Sequence, residues 1–204
     1  MTIKVIYWDF SGVLFIPVPG MGYEEGSKEM GISHEKLHSF FEGDMNRRVD
    51  LGEITHEEFY SHILKESNLS DSLLPVFMQN LLKAFELNSP LVNFIQSLPA
   101  TIRHAVLSNY SDRLRFILEG HLQIANMFSD LIISSEVQML KPDEEIYQTA
   151  LARLNVAPSE SIFVDDRIEN VEGAQKVGMH GVLFTDTQQV INDVKQLLGL
   201  NTQP

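Results

Sequence analysis

Short apolar runs at residues 3–8, 102–107, 131–133, 162–164 and 182–184 recur along the 204-residue chain, each suited to one buried strand. Between the later runs lie stretches with helical spacing. From Glu144 onward, Ile146, Tyr147, Ala150, Leu151 and Leu154 fall on one face. From Asn170 onward, Val171, Ala174 and Val177 do the same until Gly178 ends the pattern. This alternation predicts an α/β fold, a doubly wound parallel sheet with helices on both faces. Such sheets bind ligands beyond the carboxyl ends of their strands. One interval breaks the alternation. Between the first two runs every signal is helical: a start at Ser33, a capping box Thr55-x-x-Glu58, a start at Ser70, and Ser89-Pro90 with proline in the first turn. That interval is too long for a crossover. It predicts a helical insert over 17–88 in a core formed by 1–16 and 89–204, with a polar tail over 201–204.

Four polar clusters follow four of the predicted strands, so the sheet would gather them at one edge. They are Asp9-Phe10-Ser11-Gly12-Val13 after the first, Ser108-Asn109 after the second, Lys141-Pro142 after the third and Asp165-Asp166 after the fourth. Each alone has a plain structural reading. Asp9 serves as a turn or cap residue, Ser108-Asn109 as turn chemistry with Ser111 capping the next helix, Lys141-Pro142 as a helix boundary, and Asp165-Asp166 as solvated turn carboxylates. Four such clusters in this order are a much more specific signal. Together they resemble the four motifs of the haloacid dehalogenase superfamily, over nearly the whole chain, and the helical insert resembles that family's cap domain. The resemblance implies a Rossmann-like core and hydrolysis of a small phosphorylated metabolite.

The chemistry of the residues agrees. A carboxylate at a strand end can attack phosphorus and split one hard displacement into two easier ones, which assigns Asp9 as the nucleophile. Carboxylate and phosphate repel, so a hard cation is needed. Magnesium takes oxygen ligands such as Asp9, the Ser11 carbonyl and Asp166, with Asp165 and Asn170 around the ion. Ser108, the amides after it including Asn109, and Lys141 can neutralise the transferring phosphoryl group. Gly12 lets the chain turn sharply after Asp9.

The sequence departs from the family's common phosphatase form at one position. There a second Asp stands two residues after the nucleophile, as acid to the leaving group and base to water; here it is Ser11. A positioned acid or base is worth about 10² to 10⁴ in rate. The chain thus resembles the sugar-phosphate phosphatase and epoxide-hydrolase amino-terminal-domain-like branch, where this position varies. An enzyme of that kind is expected to favour good leaving groups, such as an anomeric sugar phosphate, or to borrow an acid from the cap. Two other readings stay open: a dehalogenase, which uses an Asp nucleophile without metal, and a catalytically silent relative that binds a ligand or a protein.

Composition bounds the partners. With 15 Lys and Arg against 28 Asp and Glu the formal charge is -13, which repels nucleic acid and anionic membranes. The absence of cysteine excludes disulfide and thiolate chemistry. The first residues read as neither signal peptide nor membrane span, so a cytoplasmic monomer or homodimer is expected. Arg47, Arg48, Arg113 and Arg167 are candidate substrate contacts, with surface pairing as the alternative. His34 and His38 read as an exposed cap face rather than a zinc site. His56 is expected in solvent, Trp8 in the sheet, and Phe40, Phe41, Phe59 and Tyr60 in the cap core.

Overall fold

A computed structural model describes residues 2–18 and 30–200; the predicted tail over 201–204 and part of the predicted insert lie outside them. In chain order the elements are β1 (Val5–Trp8), β2 (Phe15–Pro17), α1 (His34–Phe41), α2 (Asp44–Asp50), α3 (His56–Glu66), α4 (Leu74–Lys83), β3 (Phe85–Leu87) and α5 (Ser89–Ser97). Then follow β4 (Arg103–Ser108), α6 (Arg113–Phe116), β5 (Asp130–Ile133), α7 (Ser134–Val137), α8 (Glu144–Leu154), β6 (Ser161–Asp165), α9 (Ile168–Lys176), β7 (His180–Leu183) and α10 (Thr187–Leu197).

The main sheet has the order β5-β4-β1-β6-β7 and is parallel throughout. Its strands alternate between two cores, as a pleat requires. Ile6, Trp8, Val106, Ile133, Ile162, Val164 and Val182 pack on one face with α5 and α10 residues such as Leu91, Ile95, Val190 and Val194. Val5, Tyr7, Ala105, Leu107, Ile132 and Phe163 pack on the other with Ile146, Tyr147, Ala150 and Leu151 of α8 and Ala174 of α9. Both faces are apolar, which is why the strands read as continuous apolar runs. The five predicted strands all appear in this sheet, so the doubly wound α/β expectation holds.

Helices α1 to α4 form a cap with its own core of Leu37, Val49, Phe59, Tyr60, Ile63, Leu64, Phe77 and Leu81. The starts of α1 and α3 follow the sequence signals, whereas the predicted start at Ser70 caps a short turn, Asp71–Leu73, ahead of α4. The Ser33 hydroxyl accepts from the Lys36 amide at 3.2 Å, and the Thr55 and Glu58 side chains cap reciprocally. Helix α5 begins at Ser89 with Pro90 in its first turn, as read, and Asn88 caps it, accepting from the Leu91 amide at 3.3 Å. A further detail differs from the sequence reading: the interval is not all helix, because β2 and β3 pair antiparallel where the chain leaves and rejoins the core. Strands of three residues carry no readable period. Among the described residues no helix is long and apolar enough to cross a membrane.

Candidate active site

The polar clusters converge at the carboxyl edge of the sheet. Asp9 follows β1 directly, is 6% exposed, and accepts from the Phe10 amide at 2.7 Å. The Lys141 ammonium lies 2.9 Å from Asp9 Oδ1 and 2.6 Å from Asp165 Oδ2, and donates to the Leu107 carbonyl at 3.1 Å. A doubly hydrogen-bonded clamp holds that lysine in place. The Asn109 side chain donates to the Lys141 carbonyl and accepts from the Lys141 amide, both at 2.9 Å.

Electrostatics follow from burial. Desolvation raises the pKa of Asp9, while Lys141 pulls it down and Asp165 adds to the rise. Burial works against the Lys141 charge too, but its two carboxylate partners outweigh that and raise its pKa. The Ser108 hydroxyl is fully buried, and close enough to Asp9 to favour its ionised form, yet it has no hydrogen-bond partner of normal geometry. A buried orphan hydroxyl beside a carboxylate is the kind of group a bound anion satisfies.

A divalent cation fits the same edge. Asp9, Asp165 and Asp166 each offer a carboxylate oxygen, all within 4.8 Å of one another. Asp165 already accepts from the Arg167 amide at 2.8 Å, from Asn170 Nδ2 at 3.0 and 3.1 Å, and from Lys141. Asp166 is exposed and presses on Gly12: a Cβ there would stand 2.3 Å from Asp166 Oδ2. With φ of +84° as well, the turn after Asp9 admits only glycine comfortably.

Asp9, Ser11, Asn109, Lys141, Asp166 and Asn170 open onto a cavity of about 1030 Å³ between the sheet edge and the cap. Much of its lining is apolar, from Phe15, Phe41, Val49, Phe59, Met78, Leu82 and Phe85. Arg113 and Arg167 reach it, whereas Arg47 and Arg48 do not line it, and Arg48 pairs with Glu53 at 3.2 Å. His56 departs from expectation. It is partly buried under Tyr60, 2.9 Å from Ser111 Oγ, and burial pushes its pKa down to about 3. The sequence reading also missed Asp50, which lines the cavity from the carboxyl end of α2. Nothing local distinguishes it from any acidic helix end.

The site thus sets a strand-end carboxylate against a buried lysine, beside an acidic cluster and under a helical cap, an arrangement suited to hydrolytic chemistry. Solved structures share this fold. A HAD-like family hydrolase from Porphyromonas gingivalis matches with a TM-score of 0.78 at 21% identity, covering 100% of both chains. The HAD family enzyme BT-2542 from Bacteroides thetaiotaomicron, in complex with magnesium and inorganic phosphate, matches with a TM-score of 0.74 at 21% identity, over 89% of this chain and 93% of that one. The haloacid dehalogenase-like hydrolase family model matches residues 3–178, and the chain belongs to that family. Among named relatives, the sesquiterpene phosphatase astK of Aspergillus oryzae is 25% identical over 97% of this chain and 98% of its own length. Bifunctional epoxide hydrolase 2 of Rattus norvegicus is 24% identical over 98% of this chain, which spans only 39% of that protein.

Proposed function

We propose that the chain hydrolyses a small phosphorylated metabolite with magnesium, through an aspartyl-phosphate on Asp9. The observation that carries this reading is a buried Asp9 carboxylate at a strand end, 2.9 Å from the Lys141 ammonium and open to the cavity. Asp9 attacks phosphorus, and the ester oxygen leaves with the alcohol. Lys141 and Ser108 meet the phosphoryl oxygens as charge builds. Asp9, the Ser11 carbonyl and Asp166 would hold the cation, while Asp165, its oxygens already engaged, fixes Lys141. Magnesium, when bound, offsets the repulsion between carboxylate and phosphate. The sesquiterpene phosphatase likeness supports a phosphomonoester substrate, and the magnesium and phosphate bound by the Bacteroides enzyme support the cation.

The apolar lining favours an alcohol that is largely hydrocarbon over a sugar. Sugar hydroxyls buried against Phe15, Phe59 and Phe85 would lack partners. The test is phosphate release from straight-chain alkyl phosphates of rising length, sugar phosphates and an aryl phosphate, with and without magnesium, for wild type and Asp9→Asn. Magnesium-dependent release, abolished by the substitution, is expected. Each added methylene should raise kcat/KM about fourfold until the cavity is full. Release indifferent to Asp9 would sink the mechanism. No release from any substrate would favour the silent relative, and halide release from a 2-haloacid without metal would favour a dehalogenase.

A further inference from the structure

The phosphatase reading leaves one group unassigned. Expelling an alkoxide needs a proton donor, and the position two residues after Asp9 is Ser11, whose hydroxyl is far too weak an acid. The Asp50 carboxyl, on the last residue of α2 in the cap, lies within the influence of the Lys141 charge. It lines the same space as Asp9, Ser11 and Lys141 without joining the acidic cluster of Asp9, Asp165 and Asp166.

Asp50 is also fixed relative to the core, although it belongs to the cap. The Ser134 hydroxyl donates to the Asp50 carbonyl at 2.6 Å and accepts from the Tyr110 amide at 2.9 Å, joining the end of α2 to the loop after β4. Two residues on, Gly52 passes so close to the core that a Cβ would stand 2.4 Å from the Ser135 carbonyl oxygen. The carboxylate itself accepts from Asn46 Nδ2 at 3.1 Å, which aims it from one side. This is a placed side chain rather than a solvated helix end.

We propose that Asp50 is the general acid and base of this enzyme, supplied from the cap in place of the carboxylate that Ser11 lacks. In the first step an Asp9 oxygen bonds to phosphorus, the bond from phosphorus to the ester oxygen breaks, and that oxygen takes the Asp50 proton. In the second, Asp50 takes a proton from water as its oxygen attacks phosphorus. The bond to Asp9 breaks, and inorganic phosphate leaves with Asp9 and Asp50 restored. Burial holds the Asp50 pKa up at about 7, against the lowering effect of Lys141, the Asn46 hydrogen bond and Arg167, so the group is poised to carry a proton near neutrality. The inference rests on the phosphatase reading.

The experiment compares wild type, Asp50→Asn and Asp50→Glu on a primary alkyl phosphate and on 4-nitrophenyl phosphate, whose leaving group needs no proton. For Asp50→Asn, kcat/KM on the alkyl ester should fall by about 10² to 10⁴. On the aryl ester a burst of nitrophenolate, one equivalent per enzyme, should precede slow turnover, because only the second step needs the base. Asp50→Glu should recover part of the alkyl activity, which a merely structural role for Asp50 does not predict. Equal losses on both esters without a burst, or no loss, would overturn the proposal while leaving the phosphatase reading intact. Absence of Asp9-dependent turnover in wild type would remove both.

Discussion

Lys141 sits between two buried carboxylates, its side chain 1% exposed against 8% for Asp9 and 0% for Asp165. A buried ion pair of this sort adds little net stability, but removing one partner strands the other charge. Lys141→Met should therefore cost about 3 to 5 kcal/mol, read as a shift in urea midpoint at constant slope. A loss under about 1 kcal/mol would mean that water reaches the carboxylates. Much of this site was legible in the sequence, since Asp9, Ser108 and Asp165 lie at ends of strands that read plainly and Lys141 follows shortly after one. Asp50 was not legible. The bond that fixes its backbone comes from Ser134, 84 residues away, and no local spacing encodes such a contact.

Among the elements, the seat of the cap on the core turns on the end of α2. Gly52 has φ of +71° and no room for a Cβ beside Ser135. Gly52→Ala should destabilise the protein by about 1 to 3 kcal/mol and lower kcat/KM tenfold or more, because Asp50 moves with the strained turn. A thermal melt and initial rates check both, and an unchanged kcat/KM would mean that the α2 end need not be held. Helix α3 docks nearby, with its His56 amide donating to Asp112 Oδ1 at 3.1 Å. The capping box predicted where α3 begins. It did not predict that the same residue leaves solvent to meet Ser111, because capping is set by neighbours in sequence and docking by neighbours in space.

At the scale of the molecule, stability is tied to protonation. His104 is buried in the sheet, where Trp8 Nε1 donates to its Nδ1 at 3.3 Å, and burial pushes its pKa down to about 4. Between that value and the unfolded value near 6.5 the unfolded chain binds a proton that the folded chain refuses, so the contribution of His104 is complete above the window and lost as pH falls through it. From pH 7.5 to pH 5.0 wild type should lose about 2 kcal/mol more than His104→Gln, which keeps an acceptor for Trp8. Equal losses in paired urea titrations would mean that His104 charges freely in the folded state.

By itself the sequence determined the parallel sheet, the helical interruption after β1 and the residues gathered at the sheet edge, because strand and helix periods and strand-end residues are local properties. The tertiary structure alone decided which oxygens of Asp165 are engaged, the apolar character of much of the cavity lining and the place of Asp50 in the same cavity as Asp9. Each of those depends on how the cap lies over the core or how separate loops meet, and such distances arise only when the chain has folded back on itself.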